Sequence, residues 1–306
     1  MRFAAILNAD GGTLRTLDLD AFTSTLAGII EKEGHEVEVE VVPGDSIQRV
    51  LKSVANRRDI DVVIAGGGDG TISTAAGVLM GNDKALAVLP AGTMNLFARS
   101  LGVPLKLEDA VQAFASGKIR KVDIATADNR PFVHQFSIGL HAKMVHLRDK
   151  MEFGSKLGKI GASAKAVYWT IMNPPSLKVR LKLGGTELFA RTAGIGVTNN
   201  MFGEGHLPYA DHPDGGVLGV YVTMARRRRD IVRFGLNMAR GKWKDNDQVE
   251  IHETDSVEIS LLSSARKFRC VIDGELYPIA KTTKIRIHPG ALNVLVPRIE
   301  VPAKAA

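Results

Sequence analysis

The chain has 306 residues, 45% of them hydrophobic, and a formal net charge of +7 at pH 7. This length exceeds the usual range of a single domain and supplies a sizeable core, so two domains are expected. The single cysteine, Cys270, excludes an intramolecular disulfide and a thiolate cluster for zinc, while the charge favours an acidic partner: a nucleotide, a nucleic acid or an anionic membrane.

The beginning of the chain predicts a cytoplasmic protein. Residues 2–8 have the pattern of a strand, which reaches polar Asp10 and then Gly11 too soon for a signal peptide. No apolar run approaches the ~18 residues that a membrane-spanning helix needs.

The chain up to residue 120 alternates between strand-like and helix-like patterns. The predicted strands are 3–8, 37–41, 62–65 and 85–89, and the predicted helices are 17–33, 47–55, 71–80 and 94–100. Strict alternation with short links indicates a parallel sheet covered by helices, in which ligands collect at the carboxyl ends of the strands.

After Val122 the pattern changes to short alternating segments separated by Gly, Pro, Asp or Asn, which is typical of an antiparallel sandwich or barrel. The predicted strands are 132–140, 177–183, 188–198, 217–223, 257–262, 267–272, 284–287 and 292–296, and the predicted helices 142–150, 155–172 and 229–240. We therefore expect an α/β domain over 1–122 and a larger β-rich domain over 123–306, with a return of the residues after about 290 to the first domain as an option.

The most informative stretch follows the apolar run 61–65 and consists of Gly66, Gly67, Gly68, Asp69, Gly70 and Thr71. A buried strand that ends in glycines and continues into a helix presents backbone N–H groups and the positive end of the helix dipole, which suits phosphate. An Asp in such a loop suggests that a metal ion accompanies the phosphate. The alternative is a tight strand-to-helix turn without a ligand, although such a turn needs only one or two glycines.

The sequence contains no complete motif of the other common nucleotide-binding or metal-binding sites. Residues 154–160 approach a Walker-type phosphate loop but have the wrong spacing, and no G-x-G-x-x-G follows a predicted strand. The eight histidines are scattered, and a lone one such as His141 or His206 is more often a surface or core residue than a ligand.

Acidic residues recur beside glycine or at domain joints: Asp69, Asp123, Asp214 before two glycines, and Asp273 with Glu275 around Gly274. Carboxylates that converge from separate loops would suit Mg²⁺, which binds few carboxylates together with water and phosphate oxygens. Asp-Gly is also a common turn dipeptide, so each site after Asp69 is, taken alone, more often a turn.

Several motifs in a fixed order resemble the diacylglycerol kinase catalytic family, which includes soluble bacterial lipid kinases and the sphingosine and ceramide kinases. They are the glycine loop 66–71, the sequence Leu-Pro-Ala-Gly-Thr-Met-Asn-Leu-Phe-Ala-Arg at 89–99, Lys-Val-Asp at 121–123 and Ile-Asp-Gly-Glu at 272–275. The similarity extends from the turn at 8–12 to residues 292–297.

The resemblance implies an ATP-dependent lipid kinase with an α/β nucleotide domain, a β-rich second domain and an active site between them. Residues implied to hold the nucleotide are Asn8, Gly11, Gly66, Gly67, Gly68, Asp69, Gly70, Thr71, Gly92, Thr93 and Asn95. Asp69 and Asp123 would join the magnesium network, and Asp214 would bind a second, structural cation. Glu275, with Asp273 beside it, would accept the proton of the lipid hydroxyl.

One position departs from the family pattern. Many bacterial diacylglycerol kinases carry Asp after the Asn of the second motif, where this chain has Leu96. Sphingosine- and ceramide-kinase-like members also lack that Asp, so the resemblance implies a lipid class, diacylglycerol-like or sphingoid, rather than one lipid.

A lipid substrate requires a surface that meets the membrane. The basic amphipathic stretch from Arg226 to Trp243 and the apolar helix 162–172, with Tyr168 and Trp169, are the candidates for peripheral contact with anionic lipid. An ordinary solvated helix is the alternative for the basic stretch.

Two other functions stay open. An NAD kinase or other soluble-metabolite kinase shares a Gly-Gly-Asp-Gly-Thr loop, although the motif around Pro90 argues against it. A catalytically silent nucleotide- or lipid-binding module would fit Leu96 but not the intact Asp273-Gly274-Glu275. We expect no nucleic-acid partner, since no recognised motif accompanies the charge, and a homodimer is an option.

Overall fold

The structure is a computed structural model that describes residues 1–150, 156–225, 227–242, 246–263 and 268–298. It divides into two compact units, one formed by Met1–Val122 with the chain from Gly290 on, and the other by Asp123–Pro289. Arg226, Trp243 and Lys267, which belong to predicted elements, lie outside the described residues, as do residues 151–155 and the C-terminal residues from 299 on.

The first unit is built on a parallel sheet. Its strands are β1 (Arg2–Asn8), β2 (Glu36–Val42), β3 (Val62–Gly67) and β4 (Ala85–Pro90) in the spatial order β2-β1-β3-β4. The helices are α1 (Leu19–Lys32), α2 (Ile47–Ala55), α3 (Asp69–Leu79), α4 (Leu96–Ser100) and α5 (Leu107–Ala115). All residues of β3 and β4 are buried, which explains why both strands are continuous apolar runs in the sequence.

Each helix of the first unit has the apolar spacing that packing on a sheet requires. In α2 the buried residues Ile47, Val50, Leu51 and Val54 follow the i, i+3, i+4, i+7 pattern. α1 begins at a capping Asp18, whose carboxylate accepts a hydrogen bond from the backbone N–H of Ala21.

The second unit is an antiparallel β-sandwich with three helices. Its elements are β5 (Lys118–Ala127, which begins in the first unit), β6 (Arg130–Phe132), β7 (Gln135–Gly139), α6 (Leu140–Asp149), α7 (Lys156–Met172), β8 (Leu177–Leu183), β9 (Thr186–Thr192), β10 (Gly194–Asn199), β11 (Leu218–Thr223), α8 (Arg228–Ala239), β12 (Val249–Thr254), β13 (Ser256–Leu261), β14 (Arg269–Ile272), β15 (Glu275–Pro278) and β16 (Thr282–Val296, which ends in the first unit).

One sheet of the sandwich has the order β12-β11-β10-β7-β14-β15, and the other consists of β16, β13, β8 and β9 in that order. Neighbouring strands are antiparallel throughout both. A single core packs residues of both sheets together, with Phe136, Ile195 and Val220 from the first and Val179 and Ile259 from the second. The end of β16 instead pairs with β4 in the parallel sheet, where Val294 lies opposite Leu86.

The predicted fold class, a parallel α/β domain followed by an antiparallel β-rich domain, is confirmed. Several element boundaries differ. The predicted strand 188–198 is split between β9 and β10, and the predicted strands 284–287 and 292–296 are parts of the single strand β16. Helix α5 and strands β12 and β15 were not predicted.

Among the described residues no helix combines the length and the apolar character that crossing a bilayer requires.

Candidate active site

Three loops meet where the parallel strands of the first unit end. β1 pairs with β3 so that Leu7 lies opposite Gly66, and β3 pairs with β4 so that Gly67 lies opposite Pro90. This register places the loops after Asn8, Gly67 and Pro90 side by side. The loops carry the predicted nucleotide residues, which belong to the first unit.

Close packing explains why positions 12 and 92 of these loops are glycine. Gly12 has a φ of +42°, and a Cβ there would lie 1.9 Å from the carbonyl oxygen of Ala91. A Cβ on Gly92 would lie 2.9 Å from the Cα of Gly68. The backbones of the three loops therefore touch, and no side chain fits between them.

Side chains then fasten the loops to one another. Asn8 donates from its Nδ2 to the Oγ1 of Thr71 over 2.9 Å, which links the first loop to α3. Asp69 accepts through its Oδ1 the backbone N–H of Leu96 at 3.0 Å, which links α3 to the third loop. Asp69 thus has a structural partner in addition to any role toward a metal.

Asn95 shapes the third loop from within. Its backbone is left-handed, with φ 50° and ψ 44°, a conformation that Asn tolerates better than most residues. Its Oδ1 accepts the N–H of Gly92 at 2.8 Å, and its Nδ2 donates to the carbonyl oxygen of Gly92 at 3.0 Å. Both polar atoms of the Asn95 side chain therefore form hydrogen bonds within their own loop. Thr93, in the same loop, is exposed.

The chemistry of this edge fits a phosphate group. Gly68 is the extended N-cap of α3, and the first N–H groups of any helix have no partner within the helix. Those of Asp69, Gly70 and Thr71 therefore stand at the carboxyl end of β3 together with the positive end of an 11-residue helix dipole. A substituent on Gly68 would find its nearest neighbour only at 3.8 Å, so this part of the loop remains open to a ligand.

In the second unit the carboxylate of Asp123 is buried and holds a loop. Its Oδ2 accepts the N–H of Gly216 at 2.7 Å, and its own N–H donates to the carbonyl oxygen of Pro213 at 2.8 Å. Asp214, which is exposed, belongs to that same loop. The fold therefore places these two predicted metal residues at one junction, where β5 meets the loop before β11.

Asp273 is the most heavily hydrogen-bonded carboxylate of the described chain. It is 7% exposed and accepts the backbone N–H groups of Val133, His134 and Gln135 at 2.8, 3.0 and 2.8 Å. It also begins a two-residue turn with φ values of 45° for Asp273 and 91° for Gly274, which fits a type I′ turn. The turn presents Glu275 as the exposed first residue of β15.

The structure does not test the assignment of the metal ligands or of the catalytic pair, so both stay predictions. Among the described residues, no group of three or more His, Cys, Asp or Glu side chains has the arrangement of a metal site. Asp69 lies in the first unit, while Asp123, Asp214, Asp273 and Glu275 lie in the second.

A cluster of polar side chains next to Asp273 escaped the sequence analysis. The hydroxyl of Ser137 lies 2.7 Å from the Nδ1 of His141, and the ring of His134 stacks on Phe202. Burial lowers the pKa of His134 to about 3 and that of His141 to about 4, so both rings are neutral at pH 7. The sequence gave no sign of this cluster, since the turn from β7 into α6 brings Ser137 to His141 and a distant segment supplies Phe202.

Comparison with known proteins matches both units to family models. The diacylglycerol kinase catalytic domain matches residues 2–127, and the YegS C-terminal NAD kinase beta sandwich-like domain matches residues 136–296. A crystal structure of a diacylglycerol kinase from Bacillus anthracis str. Sterne superposes with a TM-score of 0.73 at 17% identity and covers 97% of each chain, which shows a shared fold.

Among curated proteins, a diacylglycerol kinase of Mycobacterium tuberculosis strain H37Rv is 27% identical over 275 residues, 85% of this chain and 85% of its own length. A probable YegS-like lipid kinase of Citrobacter koseri is 38% identical over 109 residues, 34% of this chain. The match spans 36% of the Citrobacter protein and 66% of an uncharacterized Synechocystis protein, less than two thirds of either. With both family models matched in order, the chain belongs to the family that joins a diacylglycerol kinase catalytic domain to a YegS-type C-terminal domain.

Proposed function

We propose that the protein transfers the γ-phosphate of ATP to a hydroxyl group of a membrane lipid, diacylglycerol-like or sphingoid, with the help of Mg²⁺. Family membership supports the kinase class and the use of ATP. The observation that carries the proposal is the closed arrangement of three loops around the N-terminus of α3, in which Asp69 and Asn8 hold the loops together.

This arrangement suits phosphoryl transfer because that reaction depends mainly on positioning and on neutralisation of charge. The backbone N–H groups at the start of α3 would bind phosphate oxygens, and the hydrogen bond from Leu96 to Asp69 would keep the third loop in place beside them. The residues proposed toward Mg²⁺ are Asp69 and Asp123, and a bound Mg²⁺ would neutralise phosphate charge. Asp214 is proposed for a second cation.

Glu275 is the proposed proton acceptor for the lipid hydroxyl. It is exposed at the first position of β15, so its carboxylate is accessible to a substrate. Asp273, whose carboxylate is occupied by three backbone N–H groups, fixes the turn that carries Glu275. We therefore propose that Asp273 acts by positioning Glu275 rather than by taking the proton itself.

A direct test is transfer of labelled γ-phosphate from ATP to a panel of acceptors in mixed micelles. The panel contains diacylglycerol, monoacylglycerol, sphingosine, ceramide, phosphatidylglycerol and NAD. We expect one of the lipids to be labelled, and the absence of any labelled lipid would contradict the proposal.

NAD is in the panel because of one specific observation. The second family model describes a sandwich like that of NAD kinases, so a soluble acceptor is the second candidate function. If NAD is labelled and none of the lipids is, the result favours a soluble acceptor. If ATP binds but no acceptor is labelled, the result indicates a catalytically silent module.

Peripheral contact with an anionic membrane forms part of the same proposal. On α8, Arg229, Val232, Arg233, Leu236 and Arg240 recur at the spacing of one helix face. Val232 and Leu236 are 42% and 51% exposed, so this face of α8 presents apolar groups as well as arginines to solvent.

The neighbouring helix α7 contacts α8 and adds exposed aromatic groups. Tyr168 and Trp169 are 55% and 47% exposed, and their rings pack edge to face at 5.8 Å. We refer to these side chains of α7 and α8 as the α7–α8 surface. Exposed aromatic and apolar groups among arginines favour adsorption at an anionic lipid interface.

A further inference from the structure

One sheet of the second unit ends in an edge strand that nothing protects. Strand β9 (Thr186–Thr192) is the last strand of its sheet and pairs with β8 alone among the described strands. Sheets usually guard such an edge with prolines, bulges or charged side chains that point inward. β9 contains no proline, pairs with β8 without interruption from 186 to 192, and directs the apolar Leu188 and Ala190 toward the core.

The pairing with β8 shows which backbone groups of β9 are free. In an antiparallel pair, residues alternate between positions that bond to the neighbouring strand and positions that point away from it. The carbonyl oxygen of Lys178 on β8 accepts the N–H of Leu262, so Lys178 and its opposite residue Arg191 form a pair without mutual hydrogen bonds. The alternate residues of β9, Glu187, Phe189 and Arg191, therefore direct their N–H and C=O groups away from β8.

The side chains of these same three residues form the outer face of β9. All three are exposed, and Phe189, at 66%, has the largest exposed fraction among the large hydrophobic side chains of the described chain. Glu187 carries the one negative charge of the strand and Arg191 the one positive charge, with Phe189 midway between them. The strand is therefore complementary in charge to a reversed copy of itself.

One antiparallel register of two β9 strands brings these opposite charges together. A two-fold axis at Phe189 places Glu187 of each copy opposite Arg191 of the other. An axis at either charged residue places like charges opposite each other, and an axis at Leu188 or Ala190 places a charged residue opposite Phe189. The axis at Phe189 also pairs the whole strand, because Phe189 is the midpoint of its seven residues.

We propose that the outer edge of β9 binds a second copy of this chain, through antiparallel pairing of the two β9 strands about a two-fold axis at Phe189. The free N–H and C=O groups of residues 187, 189 and 191 exchange hydrogen bonds across this axis. On the inner face Leu188 of each copy lies opposite Ala190 of the other, which covers apolar surface that is half-exposed in one copy. The interface does not depend on the proposed phosphoryl transfer.

The interface is small, so the dimer is weak. One seven-residue strand from each copy covers less than the ~1,200 Å² of total surface that stable complexes usually bury. We therefore expect monomers at ~1 µM and a rising fraction of dimer toward ~100 µM in sedimentation velocity at low salt.

Charge variants test the register. Glu187→Lys and Arg191→Glu each place like charges at both cross-strand pairs, so each variant alone should raise the dissociation constant about tenfold or more. An equimolar mixture of the two variants restores opposite charges at both pairs, and the mixture should associate as the wild type does. The double variant Glu187→Lys/Arg191→Glu should do the same. Arg49→Glu, an exposed charge reversal on α2, is the control and should leave association unchanged.

The mixture also separates the interface from contacts within one chain. Glu187→Lys loses the contact between Glu187 and the Nε of Arg180 on β8, which are 3.3 Å apart. Mixing with the second variant does not restore that contact, so recovery of association in the mixture reports on the pairing between copies.

Phe189→Pro tests the backbone pairing. Because the N–H of Phe189 points away from β8, a proline there removes no hydrogen bond within the chain, whereas it removes both N–H donors at the centre of the interface. The variant should keep the circular dichroism spectrum of the folded protein and remain monomeric at every concentration.

A wild type that sediments as a monomer up to ~100 µM would overturn the proposal. A dimer that Phe189→Pro leaves intact would overturn it as well, because its interface would lie elsewhere. If the mixture of the two charge variants is as dissociated as each variant alone, the register about Phe189 is wrong.

Discussion

At the scale of single residues, three carboxylates of this protein hold loops in place by accepting backbone hydrogen bonds, a role that their sequence context does not indicate. Asp69 accepts a backbone N–H from the third loop, Asp123 one from the loop at Gly216, and Asp273 three from residues 133–135. Glu275, by contrast, is exposed. Substitutions must therefore separate a structural role from a chemical one.

Asp69 allows that separation through two substitutions. Asp69→Asn keeps an oxygen that can accept the N–H of Leu96 but removes the charge, whereas Asp69→Ala removes both. We expect both variants to bind Mg-ATP more weakly in calorimetric titrations. We expect only Asp69→Ala to lose free energy of unfolding, by about 1–2 kcal/mol, because a partly buried N–H loses its partner.

Asp45→Asn, a charge removal in an exposed loop, is the control for Asp69. Wild-type affinity of Asp69→Asn for Mg-ATP would remove the charge of Asp69 from metal or nucleotide binding.

Glu275→Gln preserves the size of the side chain and removes its basicity. Because Glu275 is exposed, the melting temperature and ATP binding should not change. The rate of lipid phosphorylation should fall about 10²- to 10⁴-fold, the usual contribution of general-base catalysis. Glu253→Gln, on an exposed position of β12, should keep full activity, and a fully active Glu275→Gln variant would exclude Glu275 as the base.

Asp273→Ala leaves three backbone N–H groups of the β6–β7 connection without their acceptor. Hydrogen bonds to a charged group contribute about 1.5–3 kcal/mol each, so we expect a loss of at least about 3 kcal/mol in urea unfolding. Asp273→Asn should lose less, since Asn retains one acceptor oxygen and tolerates the positive φ of 45°. A urea midpoint of Asp273→Ala equal to that of the wild type would refute the positioning role.

At the scale of elements, α8 combines a buried side and an exposed basic side. Ile231 is buried, whereas Arg229, Val232, Arg233 and Leu236 lie on the exposed face. The membrane proposal uses this exposed face together with the exposed aromatic residues of α7.

Reversal of charge on α8 tests the membrane proposal. The double variant Arg229→Glu/Arg233→Glu should reduce co-sedimentation with vesicles that contain phosphatidylglycerol, because each arginine near an anionic surface contributes about 1 kcal/mol. Added salt should weaken wild-type binding through screening. Arg49→Glu on α2 is the control, and wild-type binding that ignores both anionic lipid and salt would contradict the role of α8.

At the scale of the whole molecule, the half-buried His134 and His141 of the second unit couple its stability to pH. The ring Nε2 of His134 is enclosed and has no hydrogen-bond partner among the described residues, and the pKa of the ring is lowered to about 3. In the unfolded chain the pKa of a histidine is about 6.5. The unfolded state therefore binds a proton first as pH falls.

The neutral histidines should make the fold sensitive to acid. Their contribution is fully present above pH ~6.5 and is lost as pH falls toward their folded pKa values, by about 1.4 kcal/mol per pH unit for each ring. His134→Phe keeps a ring to stack on Phe202 and should make the free energy of unfolding fall less steeply between pH 6 and 4. An equal slope for variant and wild type, measured by urea unfolding, would show that His134 takes no part.

The fold was predictable wherever the local pattern was strong. The buried runs of β3 and β4 and the amphipathic spacing of α2 were found within a few residues, since periodicity alone distinguishes such elements. β12 was missed because its Val-Glu-Ile-His-Glu-Thr sequence is half-exposed and carries charge. α5 has apolar residues at 107, 110, 111 and 114, so its helical spacing is present in the sequence although the helix was not predicted.

The sequence by itself determined the fold class and the order of the motifs, and it predicts the glycine loop as the place that suits phosphate. These follow from local periodicity and from the few residue types that such turns allow. Only the tertiary structure decided what the carboxylates contact: Asp69 the third loop, and Asp273 three N–H groups that precede it by 138 to 140 positions. Contacts between distant segments depend on register and packing, which local sequence patterns do not encode.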